Sequence, residues 1–248
     1  MSALSDKVAI VTGASSGIGE ATAIELAKHN VRVVIAARRR ERLDNLAKHI
    51  KSEGGRALAV ECDVTDREQV ENLIDTTLKT FDGVDTLINN AGYMPLSPME
   101  ECRVDDWVRM VDVNINGILY GVGAALPHML KAGNGHIINV SSIAGRRVFP
   151  GGAVYCGTKF AVHAISEGLR SELAPKNIRV TIIAPGIVET ELQDHIPNKE
   201  IQSNIRQRTR AMQALTSKDI ADSIIYAMEA PPHVCVNEVL IRPTAQEA

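Results

Sequence analysis

The chain has 248 residues, of which 45% are hydrophobic and 23% are charged. This composition is typical of a globular protein and excludes collagen-like, coiled-coil and largely disordered chains. Lys and Arg total 27 against 30 Asp and Glu, so the formal net charge is −3, and only 3% of the residues are aromatic. Nucleic-acid binders usually carry a basic excess or aromatic stacking surfaces, so we expect no nucleic-acid partner.

The sequence also predicts where the protein works. No apolar stretch reaches the roughly 18 residues typical of a transmembrane helix, and residues 1–7 lack the pattern of a signal peptide. The four cysteines are scattered without a CxxC pair, which predicts neither a disulfide framework nor a metal site. We therefore expect a cytoplasmic protein that holds no metal and does not associate with membranes.

Short apolar runs rich in β-branched residues alternate with helical patterns along the chain. The strand-like runs are residues 8–11, 31–35, 57–60, 84–88, 136–140, 178–183 and 236–241. The helical patterns are residues 17–29, 39–52, 66–81, 104–131 and 153–174. Asp66 is suited to cap the third helix. This alternation predicts an α/β fold: a single domain, residues 1–248, with a Rossmann-type doubly wound parallel sheet of about seven strands and helices on both faces.

A glycine-rich turn follows the first strand and opens the first helix. Its spacing, GxxxGxG, is one residue longer than the GxGxxG dinucleotide fingerprint. Gly13 permits a tight turn, Gly17 allows the backbone to approach a pyrophosphate, and Gly19 allows close packing of helix and sheet. The amides at the helix start can bind phosphate together with Ser15, Ser16 and Ile18. The alternative is a glycine-rich turn that holds no ligand.

The end of the second strand predicts the type of dinucleotide. An acid about 20 residues beyond the glycines would bind the ribose hydroxyls of NAD. This chain instead has Arg38 and Arg39 there, and no acid occurs at positions 36–40. Guanidinium groups bind a 2′-phosphate through charge-assisted hydrogen bonds, which favours NADP(H). A solvated run of charges at the start of a surface helix is the alternative.

A second group of residues points to catalysis. Tyr155 and Lys159 are four residues apart in a helical pattern and so share one face. Ser142 lies thirteen residues before the tyrosine, just after a predicted strand. Ligands of open parallel sheets bind at the carboxyl ends of the strands, where this serine would lie. The neighbouring Ser141 is the alternative for the same position.

Two further polar motifs belong to this pattern. Asn89-Asn90-Ala91-Gly92 ends another strand at the same edge of the predicted sheet. Asn114 lies in a stretch of the 104–131 helix that is polar for a core helix. Asn114 is therefore a candidate site residue, although it could instead stabilise a kink in the helix.

Together these motifs resemble the short-chain dehydrogenase/reductase family, in the branch with chains of this length. The resemblance covers the whole chain and rests on the motifs named above together with Asp63 and Pro185-Gly186. It implies an NADP(H)-dependent oxidoreductase that acts on the CH–OH group of a small alcohol or on the corresponding carbonyl. A non-catalytic NADP(H)-binding or sensing protein on the same fold is the alternative.

The resemblance implies a role for each member of an Asn–Ser–Tyr–Lys tetrad. Tyr155 would donate the proton and act as base in the reverse direction, and Ser142 would hold the substrate oxygen. Lys159 would bind the nicotinamide ribose and lower the pKa of the tyrosine, which is about 10 when unperturbed. Asn114 would fix a water that connects Lys159 to solvent.

The remaining implied contacts are with the cofactor. They are Asp63, Val64, Asn90, Ala91, Gly92, Pro185, Gly186, Val188 and Thr190, with Tyr155 and Lys159 contributing as well. For Val64 and Val188 a plain core role is the alternative. Family members are usually tetramers or dimers built on two long helices, so a homo-oligomer is expected. Glycines at 117, 121 and 123 would allow close packing between subunits.

The substrate is less well specified. Ala36–Arg39, Ser141–Arg146 and the tail Glu238–Thr244 resemble a subgroup that contains clavulanic acid dehydrogenase, sulfoacetaldehyde reductases and NADP-dependent 3-hydroxy-acid dehydrogenases. This implies a small aldehyde, ketone or hydroxy acid, with residues 189–215 as a lid over it. Met94, Pro95 and Leu96 would form an apolar wall.

Arginines in two places could hold an anionic substrate. They are Arg206, Arg208 and Arg210 in the lid and Arg146-Arg147 after Ser142. Solvated surface positions are the simpler interpretation of both groups.

Overall fold

The structure, a computed structural model, describes residues 3–247, so the first two residues of the segment tested for a signal peptide lie outside it. Within this range seven strands form one sheet: β1 Val8–Thr12, β2 Arg32–Ala37, β3 Arg56–Glu61, β4 Thr86–Asn89, β5 Gly135–Val140, β6 Ile178–Pro185 and β7 Glu238–Ile241. Their order in the sheet is β3-β2-β1-β4-β5-β6-β7, and all neighbouring pairs are parallel. The predicted doubly wound sheet is confirmed.

Helices cover both faces of the sheet. They are α1 Gly17–Lys28, α2 Arg40–Ser52, α3 Arg67–Phe81, α4 Val104–Val111, α5 Gly117–Ala132, α6 Ala153–Leu173, α7 Lys199–Ala211 and α8 Ser217–Glu229. Asp66 caps α3 as predicted, since its side chain accepts hydrogen bonds from the amides of Glu68 and Gln69. Among residues 3–247, no helix has both the length and the hydropathy of a membrane-spanning segment.

Two hydrophobic cores lie on opposite faces of the sheet because successive strand side chains point to opposite sides. In β1, Ala9 and Val11 pack with α1, α2 and α8, whereas Val8 and Ile10 pack with α3, α5 and α6. All of β1 is buried, which is why it reads as a continuous apolar run rather than an alternating one.

The strand order reverses at β1, which pairs with β2 on one side and β4 on the other. Connections leave β1 and β4 in opposite directions, so a crevice opens at their carboxyl ends. The glycine turn follows β1 and the Asn-Asn-Ala-Gly motif follows β4, so both predicted motifs flank this crevice.

The predicted helix over 104–131 is interrupted. A π-helical turn, Asp112–Asn116, separates α4 from α5, and it contains Asn114. The prediction that Gly117 and Gly121 serve subunit packing is wrong. A Cβ on Gly117 would lie 2.9 Å from the Val64 side chain, and one on Gly121 would lie 2.8 Å from the Asn89 side chain. Both glycines therefore allow α5 to approach its own sheet, whereas a Cβ on Gly123 would meet no atom.

Candidate active site

The glycine turn is held in a conformation that requires glycine. Gly13 and Gly17 have φ values of +65° and +58°, in the left-handed region. A Cβ on Gly13 would lie 2.8 Å from Ala91 Cα, and one on Gly19 would lie 2.5 Å from the Gly13 carbonyl oxygen. Larger residues would therefore force the turn away from both the helix and the neighbouring strand end.

Hydrogen bonds join this turn to the end of β4. Thr12 Oγ1 accepts hydrogen bonds from the amides of Asn90 at 3.0 Å and Ala91 at 3.1 Å. Asn90 Nδ2 donates to the Thr12 carbonyl oxygen at 2.9 Å. The Asn-Asn-Ala-Gly motif at residues 89–92 is thus held by hydrogen bonds against the end of β1, beside the crevice.

Arg39 lies over the glycine turn. Its guanidinium donates to Ser15 Oγ at 2.8 Å and to Ser16 Oγ at 2.7 Å. It also forms an ion pair of 2.9 Å with Glu191, which in turn accepts a hydrogen bond from Arg42. These two arginines, Arg39 first, lower the pKa of Glu191 to about 2, so this carboxylate is ionised at neutral pH.

Arg38 points to the other side of the crevice, where Nη1 lies 3.9 Å from Asp63 Oδ2. Arg38 and Arg39 therefore flank the place where the second strand ends. The third arginine, Arg40, pairs instead with Asp44 on the surface of α2. All three arginines are exposed, but only Arg38 and Arg39 line the cavity.

One cavity of about 630 Å³ extends from the glycine turn to Tyr155. All of the site residues predicted from the sequence line it except Gly19 and Asn114. Gly19 contacts the backbone of the turn beneath the cavity. The predicted apolar wall is present in part, since Met94 and Leu96 line the cavity, whereas Pro95 does not.

Ser142, Tyr155 and Lys159 meet at one end of this cavity. Ser142 Oγ caps a short 3-10 turn by accepting a hydrogen bond from the Ala144 amide, and its hydroxyl is near enough to Tyr155 to lower the pKa of the phenol. Ser141 donates instead to the backbone carbonyl of Lys159. The serine that influences the tyrosine is thus Ser142 and not the alternative one.

Burial controls the pKa values of Tyr155 and Lys159. Tyr155 is 6% exposed, and burial raises its pKa to about 12, while the nearby Ser142 hydroxyl acts in the opposite direction. Lys159 is 5% exposed, and burial lowers its pKa to about 8. The expected lowering of the tyrosine pKa by Lys159 is therefore not seen in the protein alone. The lysine Nζ donates to the Val140 carbonyl oxygen at 3.0 Å and lies 5.8 Å from the tyrosine ring centre.

The buried lysine should leave a signature in the pH dependence of stability. Its pKa is about 8 in the folded protein against 10.5 in a model compound, so between these values the unfolded chain binds more protons. The contribution of Lys159 to stability therefore rises above pH 8, by on the order of 1 kcal/mol at pH 9.5. The raised pKa of Tyr155 opposes this only above about pH 10. Urea unfolding at pH 7.5 and 9.5 should show this gain in the wild type relative to Lys159→Met, and parallel pH profiles would contradict it.

Asn114 is fully buried in the π-helical turn. Its Oδ1 accepts from the Tyr93 amide at 2.9 Å, and its Nδ2 donates to the Tyr93 carbonyl at 3.0 Å and to Thr158 Oγ1 at 3.1 Å. The side chain therefore ties the segment after β4 to α6, next to Lys159. These contacts agree with the alternative in which Asn114 stabilises an irregularity of the helix.

Residues 187–215 form an excursion that covers the cavity. The two ends of the excursion are joined because the Glu189 amide donates to the Leu215 carbonyl at 2.9 Å and the Leu215 amide to the Ile187 carbonyl at 3.0 Å. Between them lie a 3-10 segment, Glu191–His195, and α7. The contacts that hold the excursion to the body include Glu191 with Arg39, the ring of His195 5.1 Å from that of Tyr93, and Asn198 with Glu101 at 2.6 Å.

Several cavity residues were not found from the sequence. Arg109 packs its guanidinium 4.7 Å from the Tyr93 ring centre, and both residues line the cavity with His195. Gln246 reaches back from the C-terminal segment, where its Oε1 accepts a hydrogen bond from the Ile187 amide at 2.9 Å. No local motif identifies these residues, because their positions depend on contacts between distant parts of the chain.

Only some of the arginines proposed from the sequence line the cavity. Arg147 and Arg208 line the cavity. Arg146 instead pairs with Glu238, and Arg206 pairs with Asp194 at 2.6 Å. Arg210 is exposed and does not line the cavity. The interpretation as surface positions therefore fits Arg146, Arg206 and Arg210, whereas one member of each group, Arg147 or Arg208, lines the cavity.

Comparisons with known proteins agree with this architecture. The chain is 47% identical over 249 residues to an uncharacterized oxidoreductase of Staphylococcus saprophyticus, with 99% of both chains covered. It is 42% identical to one from Listeria innocua, with 98% of each covered.

Among solved structures, the closed form of a serine dehydrogenase complexed with NADP+ matches with a TM-score of 0.91 and 32% identity, covering 97% of this chain and 96% of that one. An alcohol dehydrogenase from Thermococcus sibiricus complexed with 5-hydroxy-NADP matches with a TM-score of 0.87 and 29% identity, with 98% of each covered. The family model for short chain dehydrogenase matches residues 7–201. The fold, the crevice and these matches together show that the chain belongs to the short-chain dehydrogenase family of oxidoreductases.

Proposed function

We propose that this protein is an NADP(H)-dependent oxidoreductase that interconverts a small carbonyl compound and its alcohol. The observation that carries this proposal is the shared cavity. At one end it has a glycine turn with Arg39 above it, and at the other end it has Ser142, Tyr155 and Lys159. A site that only bound a nucleotide would have no need of a buried tyrosine beside a serine and a buried lysine.

The residues at the nucleotide end fit NADP(H). Gly13 and Gly17 hold the turn in a left-handed conformation and line the cavity at the start of α1, where the backbone amides would bind a pyrophosphate. Arg39, held by Ser15 and Ser16, and Arg38 would bind the 2′-phosphate. The NADP-complexed neighbours support this choice of cofactor.

Further contacts follow from the cavity lining. We propose that Asp63 and Val64 flank the adenine, and that the segment 90–92 lies along the adenine ribose. The segment Pro185–Val188 and Thr190 would hold the nicotinamide end. Residues 189–215 would act as the lid, since the contact of Glu191 with Arg39 brings it over the nucleotide.

The catalytic residues would divide the proton chemistry. When bound, NADPH supplies a hydride to the carbonyl carbon and is itself oxidised to NADP+. Ser142 donates a hydrogen bond to the carbonyl oxygen, and Tyr155 Oη transfers its proton to that oxygen as the alcohol forms. Lys159 stabilises the resulting phenolate with its positive charge and binds the ribose hydroxyls. In the oxidative direction Tyr155 takes the alcohol proton.

Asn114 would support this site from beneath. Its three hydrogen bonds fix the backbone of Tyr93 and the side chain of Thr158, which precedes Lys159 on α6. We propose that this keeps the π-helical turn in place beside the lysine, where a water could connect Lys159 to solvent.

A homo-oligomer, either a tetramer or a dimer, is also proposed. Apolar side chains on α4, α5 and α6 are exposed in the single chain, among them Val104, Val108, Leu119 and Phe160. Covering such side chains with a second copy would remove them from water.

An NADPH-oxidation screen tests the proposed activity. Small aldehydes, ketones and oxo acids are offered with NADPH and with NADH in parallel, and binding of each nucleotide is measured by calorimetry. We expect turnover of at least one carbonyl class with NADPH and clearly less with NADH. Tight NADPH binding without turnover of any carbonyl or alcohol would instead support the non-catalytic alternative.

A further inference from the structure

Besides Arg109, which packs on the Tyr93 ring, two arginines line the cavity without an ion-pair partner among residues 3–247. Arg147 belongs to the loop after Ser142, and Arg208 belongs to α7 of the lid. Within residues 3–247 neither forms an ion pair, in contrast to the neighbouring Arg146 and Arg206. The two unpaired guanidinium groups therefore come from different walls of the same cavity.

The position of Arg208 follows from the helical period of α7. Ile201, Asn204, Ile205 and Arg208 are spaced at i, i+3, i+4 and i+7, and all four line the cavity. Arg206 lies off this face and is engaged by Asp194. The lid thus presents an apolar surface with a positive charge one turn beyond it.

The acidic and basic side chains that line the cavity are unevenly distributed. Two carboxylates line it, Asp63 and Glu191, and both lie near arginines of the nucleotide end. Apart from those carboxylates and arginines, the charged groups of the lining are Lys159, Arg109, Arg147 and Arg208, and all four are basic. A cavity of this size with an uncompensated positive charge attracts an anion.

Apolar side chains share the cavity lining with these arginines. Met94, Leu96, Phe149 and Ile205 line the cavity and belong to the hydrophobic cluster that contains Tyr155. A substrate must therefore place its carbonyl at Tyr155 and Ser142 and its carbon chain against these apolar side chains.

We infer that the substrate is a small oxo acid, or its hydroxy acid, whose carboxylate is held by Arg147 and Arg208. This rests on the proposed function, because it assigns the carbonyl to the same catalytic end. The planar guanidinium forms paired hydrogen bonds with a carboxylate, which fixes orientation as well as adding affinity. Closure of the lid would bring Arg208 to the substrate and exclude water at the same time.

Matched substrates and variants test this inference. A short oxo acid and its primary amide are close in size and differ in charge, and kcat/KM is measured for both with NADPH. We expect the wild type to prefer the acid by about 10- to 100-fold, and Arg147→Met and Arg208→Met each to lose most of this preference through KM. Arg146→Met and Arg206→Met are the matched controls, and both should retain it.

A binding measurement tests this inference separately from the proposed function. If no carbonyl is reduced, the proposed function fails, and calorimetry of the NADP+-saturated protein with a short hydroxy acid and its amide still tests the inference. Selective binding of the acid that is lost in Arg208→Met supports it. The inference would be overturned if the wild type showed equal kcat/KM, or equal affinity, for the charged and the neutral compound. It would also be overturned if the arginine variants lost activity or affinity equally for the two compounds.

Discussion

Replacing Tyr155 with Phe is expected to lower kcat/KM for carbonyl reduction by about 10²- to 10⁴-fold, the usual contribution of a general acid. The substitution removes only the hydroxyl, whose pKa the neighbouring Ser142 lowers. The aromatic ring keeps its packing in the small core beneath the lid, with Leu96, Met110 and Ile196. We therefore expect the protein to fold and to bind NADPH with little change.

A matched control separates chemistry from folding. Tyr226 on α8 is 65% exposed and does not line the cavity, so Tyr226→Phe should behave as the wild type. Steady-state kinetics with NADPH and calorimetric nucleotide binding are measured for both variants. Turnover that survives in Tyr155→Phe would show that the proton comes from another group and would contradict the mechanism.

The second large effect concerns the choice of cofactor. Arg39→Ala removes the guanidinium that lies between Ser15, Ser16 and Glu191. A charge-assisted hydrogen bond contributes about 1.5–3 kcal/mol, which corresponds to roughly 10- to 150-fold in affinity. We expect the Kd for NADPH to rise by this factor, whereas the Kd for NADH should change by less than about threefold, because NADH has no 2′-phosphate.

Arg40→Ala provides the control for this substitution. Arg40 is the next residue in the sequence, carries the same charge and pairs with Asp44 away from the cavity. Its removal should leave both affinities unchanged. An equal loss of NADPH and NADH affinity in Arg39→Ala would mean that this arginine only supports the glycine turn, and a 2′-phosphate role would then be wrong.

Much of the fold could be predicted because its signals are local. Buried parallel strands read as short apolar runs, and Asp66 is recognisable as a cap from its position before a periodic helix. The strand boundaries differ from the prediction by a few residues, as at β7, which begins at Glu238 rather than at residue 236. Strand ends depend on pairing with a neighbour and cannot be located from the run alone.

The π-helical turn at Asn114 illustrates what could not be predicted. Its sequence continues the pattern of the flanking helices, and the irregularity is stabilised by hydrogen bonds to Tyr93 and Thr158, which lie elsewhere in the chain. Gly117 gave a similar difficulty, because a small residue on a helix indicates close packing without identifying the partner. In the structure that partner is Val64 of the same chain.

The candidate site, too, could be predicted only in part. The glycine turn and the residues of the catalytic end follow from spacing and strand ends. The orientation of each arginine cannot be predicted in this way. Arg146, for example, forms an ion pair with Glu238, which lies 92 residues later in the sequence. For Arg208 a signal was available, because the apolar positions 201 and 205 define the face of α7 on which it lies.

Transfer of deuterium from the cofactor to the product tests the proposed reaction most directly. The protein is incubated with NADPH labelled with deuterium at the transferable position of the nicotinamide and with a carbonyl compound found in the screen, and the alcohol is analysed by mass spectrometry. We expect one deuterium on the carbinol carbon in the wild type and almost no product with Tyr155→Phe. Formation of an unlabelled alcohol, or equal yields of labelled alcohol from both proteins, would contradict hydride transfer assisted by Tyr155.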